Sequence, residues 1–278
     1  MKNIGIAGLG TVGQGFFNQI SKNHKNFKVI QIAVKNIKKK RKVNLRNIKV
    51  TSKVQELAIN PNIQVLVECI GGSSGVAYKL VKRALENKKH IITANKALLA
   101  IHGNELVKLA EKNNVSISYE AAIAGGIPVV KAVRENLKYN NISKIYGILN
   151  GTCNYILTKM EKDGKDFSLV LKDAQKLGFA ELDPTFDIKG IDAAHKITLL
   201  SSLAFNVPIK FTSTYIEGID KIELDDFKFA KEFGYKIKLL GVAERKKVSY
   251  EQRVHPCLIK EDSEIAKVEN ELNAVVII

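Results

Sequence analysis

The chain has 278 residues, 45% of them hydrophobic and 26% charged, a balance that excludes wholesale disorder and fibrous architectures. Three cysteines at 69, 153 and 257 form no C-x-x-C pair. This excludes a disulfide scaffold, argues against a structural zinc site, and leads us to expect reduced thiols in a cytoplasmic setting. The net charge is +16, yet only six of the 44 basic residues are Arg. An excess carried by Lys suits a compositional bias at least as well as a nucleic-acid surface, which leans on Arg for bidentate contacts.

The uncharged stretch 3–21 holds five glycines together with Asn, Gln, Thr and Ser. It is too polar for a membrane span and lacks a cleavage site, so neither a transmembrane segment nor a signal peptide is expected. Residues 2–8 read as a buried strand, 13–20 as a helix and 27–34 as a second strand, which together make a β-α-β unit. No Asp or Glu occurs before Glu56, and the run Lys38-Lys39-Lys40-Arg41-Lys42 falls inside this acid-free region. That run reads either as a solvated basic loop or as an attractor of an anionic cofactor or polyanion. Strands at 63–69, 90–94 and 115–119 alternate with helices at 77–86 and 106–112, the pattern of a doubly wound parallel α/β sheet.

Beyond Gly125-Gly126-Ile127-Pro128 the pattern changes. Pro128 suits the first turn of a helix running to about residue 137. A strand at 142–149 follows, then helices at 153–160, 168–177 and 191–205, and two strands at 236–244 and 248–259. This second half reads as an α+β unit, and the expected division is 1–130 and 131–278.

Gly8-Leu9-Gly10-Thr11-Val12-Gly13 matches G-x-G-x-x-G between a strand and a helix, the context that makes this pattern a dinucleotide-binding turn of Rossmann type. Gly8 permits the tight turn, Gly10 lets a pyrophosphate approach the backbone, and Gly13 lets helix and strand pack closely. The acidic residue that would bind a ribose 2′-hydroxyl at the end of the second strand is missing. Ala33-Val34-Lys35-Asn36 and the basic run stand there instead. Lysines would attract a 2′-phosphate, so NADP is the expected cofactor and NAD the alternative.

Three further blocks set polar residues in apolar surroundings: Thr93-Ala94-Asn95-Lys96 at a strand end, Asn150-Gly151-Thr152-Cys153-Asn154 between strand and helix, and the acidic loop 181–187. Asp192 and Lys196 are i and i+4 on one helix face. The apolar run Ile197-Thr198-Leu199-Leu200 implies that this helix is largely buried, and a buried Lys among carboxylates is a functional candidate. The five histidines form no cluster and read as structural.

These blocks, with IAGLGTVGQG (6–15), ECIGG (68–72), YEAAIAGGIP (119–128), GILNGTCNYIL (147–157), KLGFAELDPTFDIKGIDAAHK (176–196), HPCLI (255–259) and NAVVII (273–278), resemble the homoserine dehydrogenase family along the whole chain. Cys153 stands where many relatives carry Thr. The resemblance implies a Rossmann-type NAD(P)-binding domain over 1–130 and a catalytic, substrate-binding and dimerisation domain over 131–278. It implies reversible NAD(P)H-dependent reduction of L-aspartate 4-semialdehyde to L-homoserine, on the branch to threonine and methionine, by a cytoplasmic homodimer. Lys196 would be the main proton donor and acceptor, and Lys96 would orient and polarise the substrate oxygen. Glu181 and Asp192 would hold the substrate ammonium, with Asp187 a further carboxylate and Gly178 beside them. Gly8, Gly10, Thr11, Val12, Gly13, Lys35, Gly71, Thr93 and Lys96 would meet the cofactor. Glu120 and the carbonyls of Ile123, Gly125 and Ile127 would form a monovalent-cation site, with sodium as the example.

Relatives continue past NAVVII with a glycine-rich stretch, a Pro-Thr-Ala segment and a closing helix. The sequence ends at Ile278, so either the family's C-terminal segment has been lost or the chain is a fragment; a loss would weaken cofactor closure and catalytic competence and argue against feedback control through an appended domain. The alternatives to an active enzyme are a catalytically impaired nucleotide-binding homologue and a basic polyanion-binding protein on the same fold.

Overall fold

The computed structural model describes residues 1–23 and 25–278; His24, read from the sequence as structural, lies outside the described residues. The chain divides into two compact units, Met1–Ala122 and Ile123–Ile278, so the break comes earlier than residue 130.

In the first unit the strands β1 (Lys2–Ala7), β2 (Phe27–Ala33), β3 (Lys49–Thr51), β4 (Val65–Glu68), β5 (His90–Thr93) and β6 (Ile117–Ser118) form one sheet in the order β3-β2-β1-β4-β5-β6. Every pairing is parallel. Helices α1 (Thr11–Asn23), α2 (Gln55–Ile59), α3 (Val76–Glu86) and α4 (Lys96–Lys112) connect them. Alternation along the strands sends side chains to two cores. Ile4, Ile6, Val65 and Val67 pack with Phe17 of α1, whereas Ala7 and Leu66 pack with Leu57, Leu80, Leu98 and Leu106 of α2, α3 and α4. Because both faces are covered, β4 reads Val-Leu-Val-Glu with every residue buried, the continuous apolar run of a central parallel strand. Each such fully buried aliphatic side chain contributes about 1.5–3 kcal/mol.

The second unit has the helices α5 (Val129–Lys131), α6 (Gly151–Asp163), α7 (Phe167–Leu177), α8 (Thr185–Ile188), α9 (Ile191–Phe205) and α10 (Leu224–Glu232). Its strands are β7 (Lys144–Ile148), β8 (Tyr215–Ile216), β9 (Tyr235–Arg245), β10 (Tyr250–Lys260) and β11 (Ala274–Ile277), in the order β11-β7-β9-β10-β8. The β8–β10 pairing is parallel and the others are antiparallel. The long β9–β10 hairpin runs in unbroken register from Tyr235↔Lys260 to Arg245↔Tyr250. Against it packs α9, most of whose residues are buried.

Three sequence expectations are revised. The helix expected from residue 106 begins at Lys96, because Asn95 caps it by accepting the Leu98 N–H at 3.1 Å. Gly103 inside this helix, unfavourable by about 1 kcal/mol against Ala, masked the pattern. The helix after Pro128 is one α turn that widens into a π turn at Ala132–Asn136. The elements β3, α2, α8, β8 and α10 were not anticipated; four of them are five residues or shorter and carry too few positions to show a period. The fifth, α10, is announced only by its cap, where Asp226 accepts the Glu223 N–H at 2.8 Å. Among the described residues no helix is long and apolar enough to cross a membrane.

Candidate active site

In the first unit the glycine turn joins β1 to α1. A Cβ on Gly8 (φ +91°) would lie 2.4 Å from the Cys69 carbonyl oxygen, and one on Gly13 would lie 2.2 Å from the Gly8 carbonyl oxygen. Both positions therefore exclude any side chain. Around Gly10, in contrast, there is open space beyond 4 Å, and Thr11 and Val12 are exposed at the start of α1. Gly8 and Gly13 are thus closed to a Cβ, whereas Gly10 is open. Gly10 leaves the backbone open at the start of α1, where a helix offers N–H groups that suit an anion. Gln14, which sequence reasoning passed over, donates from Nε2 to the Gly10 carbonyl (3.3 Å) and accepts the Lys42 N–H at Oε1 (2.9 Å). It fastens the basic loop to the turn. Lys35 is exposed just beyond β2, but the Arg41 guanidinium is committed to the carbonyls of Asn36 and Lys39, each at 2.7 Å.

At the ends of β4 and β5 a second turn is built on Glu68, another residue without an assigned role in the sequence reading. Its buried carboxylate accepts from the Ile70 N–H (2.7 Å), the Gly71 N–H (3.1 Å) and the Thr93 hydroxyl (2.6 Å). Thr93 Oγ1 in turn accepts the Asn95 N–H at 2.9 Å, and Asn95 Nδ2 donates to the Gly72 carbonyl at 2.8 Å. Thr93, expected to meet the cofactor, has its hydroxyl inside this network, where it shapes the Gly71-Gly72 turn. Burial, helped by the Glu68 charge, pushes the Cys69 thiol up to about 11, so it is inert near neutrality. Lys96 is the half-buried first residue of α4. Its position opposes the helix dipole, so local helix energetics do not account for it.

In the second unit the β7–α6 junction, α8 and α9 bring the predicted charged residues together. Lys196 donates to Asp192 Oδ2 at 2.7 Å and to the Leu149 carbonyl at 2.6 Å. The Lys196 and Asp192 side chains are 14% and 5% exposed. An i,i+4 pair this buried differs from a solvated one: removing either partner alone leaves a bare charge at a cost of about 3–5 kcal/mol. Asn150 Nδ2 donates to Asp187 Oδ1 (2.7 Å) and Asp192 Oδ2 (2.9 Å), while Asn150 Oδ1 accepts the Cys153 N–H (2.8 Å). Cys153 is buried, and desolvation together with the Asp187 and Asp192 charges holds its thiol well above the usual range. Its Sγ donates to the Asp187 carbonyl at 3.1 Å. His195 points away from this cluster, stacked between Phe186 and Phe211 with ring centroids 5.2 and 4.4 Å away.

Glu181 is exposed, and its carboxylate is not a member of that network. Gln175 Nε2 fixes its loop by donating to the carbonyls of Glu181 (3.0 Å) and Leu182 (3.2 Å). Gly178 (φ +81°) ends α7 in the left-handed conformation. Glu120 opens a short 3₁₀ turn in the first unit, whereas Ile123, Gly125 and Ile127 belong to the second. The Ile127 carbonyl accepts the Val129 N–H at 2.8 Å. Among the described residues, no three His, Cys, Asp or Glu side chains are grouped to hold a metal ion.

Residues 128–278 match the model of the homoserine dehydrogenase family, and residues 8–120 match that of the homoserine dehydrogenase NAD-binding domain. The chain belongs to the homoserine dehydrogenase family. It is 47% identical over 282 residues to the homoserine dehydrogenase of Pseudomonas aeruginosa, spanning 99% of this chain and 64% of that one. A crystal structure of a homoserine dehydrogenase from Thiobacillus denitrificans superposes with a TM-score of 0.95 at 44% identity, covering 99% of this chain and 65% of that chain. A hyperthermophilic archaeal homoserine dehydrogenase solved in complex with NADPH gives 0.81 at 27% identity, covering 100% and 88%. The chain therefore spans just under two thirds of the length of the first two relatives. The match to the NAD-binding domain model lies within the all-parallel unit, and the match to the homoserine dehydrogenase model lies within the mixed-sheet unit.

Proposed function

We propose that the chain catalyses the reversible NADPH-dependent reduction of L-aspartate 4-semialdehyde to L-homoserine. The observation that carries this reading is the buried Lys196–Asp192 pair held by Asn150 beside Asp187, in a chain of the homoserine dehydrogenase family. The open space at Gly10 and the lysines beyond β2, with no carboxylate there, fit a dinucleotide bearing a 2′-phosphate. The NADPH held by the archaeal relative supports the same choice. The nicotinamide cofactor, when bound, supplies the hydride.

Reduction of an aldehyde leaves negative charge on oxygen, which needs a positioned cation or proton donor. Lys196 gives its proton to that oxygen and takes it back in the reverse direction. Asp192 and the Leu149 carbonyl aim the ammonium, and Lys96 is the cationic candidate of the first unit. Glu181 and Asp192 receive the substrate ammonium, with Asp187 as a further carboxylate. The working species is a cytoplasmic homodimer joined through the second unit.

The test is homoserine-dependent NADP⁺ reduction by the purified chain, beside Lys196→Ala. We expect the variant to lose turnover by about 10²–10⁴-fold while NADPH still binds. Unchanged turnover in the variant removes Lys196 from the chemistry, and no turnover in the wild type removes the activity.

A further inference from the structure

The two ends of the Asn150 amide do different jobs. Capping α6 needs only the acceptor Oδ1, which takes the Cys153 N–H at 2.8 Å, and Ser, Thr or Asp would cap as well. The donor end is a separate property. Among the common capping residues only Asn carries an NH₂ group able to place two hydrogens on two different carboxylates, here Asp187 Oδ1 at 2.7 Å and Asp192 Oδ2 at 2.9 Å. The side chain is 5% exposed, so water does not substitute for it. We infer that Asn150 is a positioning residue for proton transfer: its amide holds Asp187 and Asp192 ionised side by side, and so fixes the carboxylate that aims the Lys196 ammonium. This inference rests on the reading of Lys196 as the proton-transfer group.

The geometry ties both anchors of that ammonium to one backbone junction. Lys196 Nζ donates to the Leu149 carbonyl and to Asp192 Oδ2. Leu149 precedes Asn150 in the chain, and Asn150 holds Asp192 Oδ2. The strand β7 and helix α6 thus set the ammonium from two directions at once, although Lys196 itself is on α9. A buried carboxylate (Asp192) and a half-buried one (Asp187) sharing one donor repel each other, and the shared NH₂ offsets that repulsion. Lys196 on α9 and the Cys153 thiol on α6 are charged and titratable groups that face the pair. His195 on α9 packs against Phe186 of α8.

The test uses Asn150→Ser, which keeps an acceptor for the cap and removes the bridge, beside Asn150→Ala, which removes both. For Asn150→Ser we expect kcat to fall on the order of ten- to a hundredfold with the KM for NADPH unchanged. The gap in Tm to wild type should widen by about 5 °C between about pH 4 and about pH 7, because only ionised carboxylates miss the donor. A cap alone is a neutral hydrogen bond, and its loss shifts Tm equally at every pH. Wild-type kcat in Asn150→Ser, or a Tm gap independent of pH, overturns the inference. Lys196→Ala with unchanged turnover instead overturns the reading of the reaction. The pH-dependent Tm gap still reports then whether Asn150 holds the two carboxylates, since it needs no activity.

Discussion

Among the described residues that are less than 2% exposed, Lys238 in the middle of β9 has the largest side chain, at 1% exposed. Its ammonium donates to the Val268 carbonyl at 2.7 Å and to Asn154 Oδ1 at 3.3 Å, while Asn154 Nδ2 reaches the carbonyls of Val268 and Leu272. Together they staple the segment between β10 and β11 to α6. Burial is the main cause that lowers the Lys238 ammonium from the usual 10.5 to about 8; Glu161 and Glu269 partly oppose this, and Lys236 and Lys162 add to it.

The consequence for stability has a definite sign. Below pH 8 the lysine is charged in both folded and unfolded chains, and the folded state carries the full cost of desolvation. Between pH 8 and 10.5 the unfolded chain binds the extra proton, so stability rises with pH. The total rise is about 3 kcal/mol, with a limiting slope of about 1.4 kcal/mol per pH unit. Lys238→Met fills much of the same volume without the titration. Urea unfolding of both proteins from about pH 7.5 to about pH 10.5 cancels the other lysines and tyrosines in the difference. Wild type should gain about 3 kcal/mol on the variant across that range. A difference constant to within about 0.5 kcal/mol would refute the claim that burial, rather than pairing, dominates at Lys238.

The first unit gives four further expectations. Gly13→Ala, whose new Cβ would lie 2.2 Å from the Gly8 carbonyl oxygen, should lower stability by about 1–3 kcal/mol in thermal melts. Gly10→Ala, facing open space, should melt like wild type yet bind NADPH more weakly by fluorescence titration. Glu68→Ala strands the N–H groups of Ile70 and Gly71; calorimetry should show a loss of about 2–4 kcal/mol, and Glu68→Gln a smaller one. Lys35→Glu should weaken NADPH selectively, leaving NADH unchanged, in paired titrations; equal weakening of both would move the 2′-phosphate away from Lys35.

How far the site was legible depends on how locally each part is specified. The glycine turn was readable because its three positions obey backbone sterics that hold wherever a strand meets a helix in this geometry. The Asp192–Lys196 pair was readable because a helix places i and i+4 on one face. Asn150 and Glu68 were not, although both lie in blocks that stood out. A polar residue at a strand end is equally consistent with a cap, a ligand or a solvated side chain until its partners are known. Those partners are 25 to 42 positions away for the Glu68–Thr93 and Asn150–Asp192 bonds.

By itself the sequence determined the alternation of strands and helices, the fold class, the nucleotide turn and the family, all of which follow from short-range periodicity or from ordered local blocks. Only the tertiary structure decided that Arg41 is spent on its own loop, that the Thr93 hydroxyl serves Glu68, and that one amide on α6 joins carboxylates from α8 and α9. The physical reason is that a hydrogen bond between distant residues is directional and short-ranged. It exists only once the chain has packed, and no local pattern in the sequence encodes it.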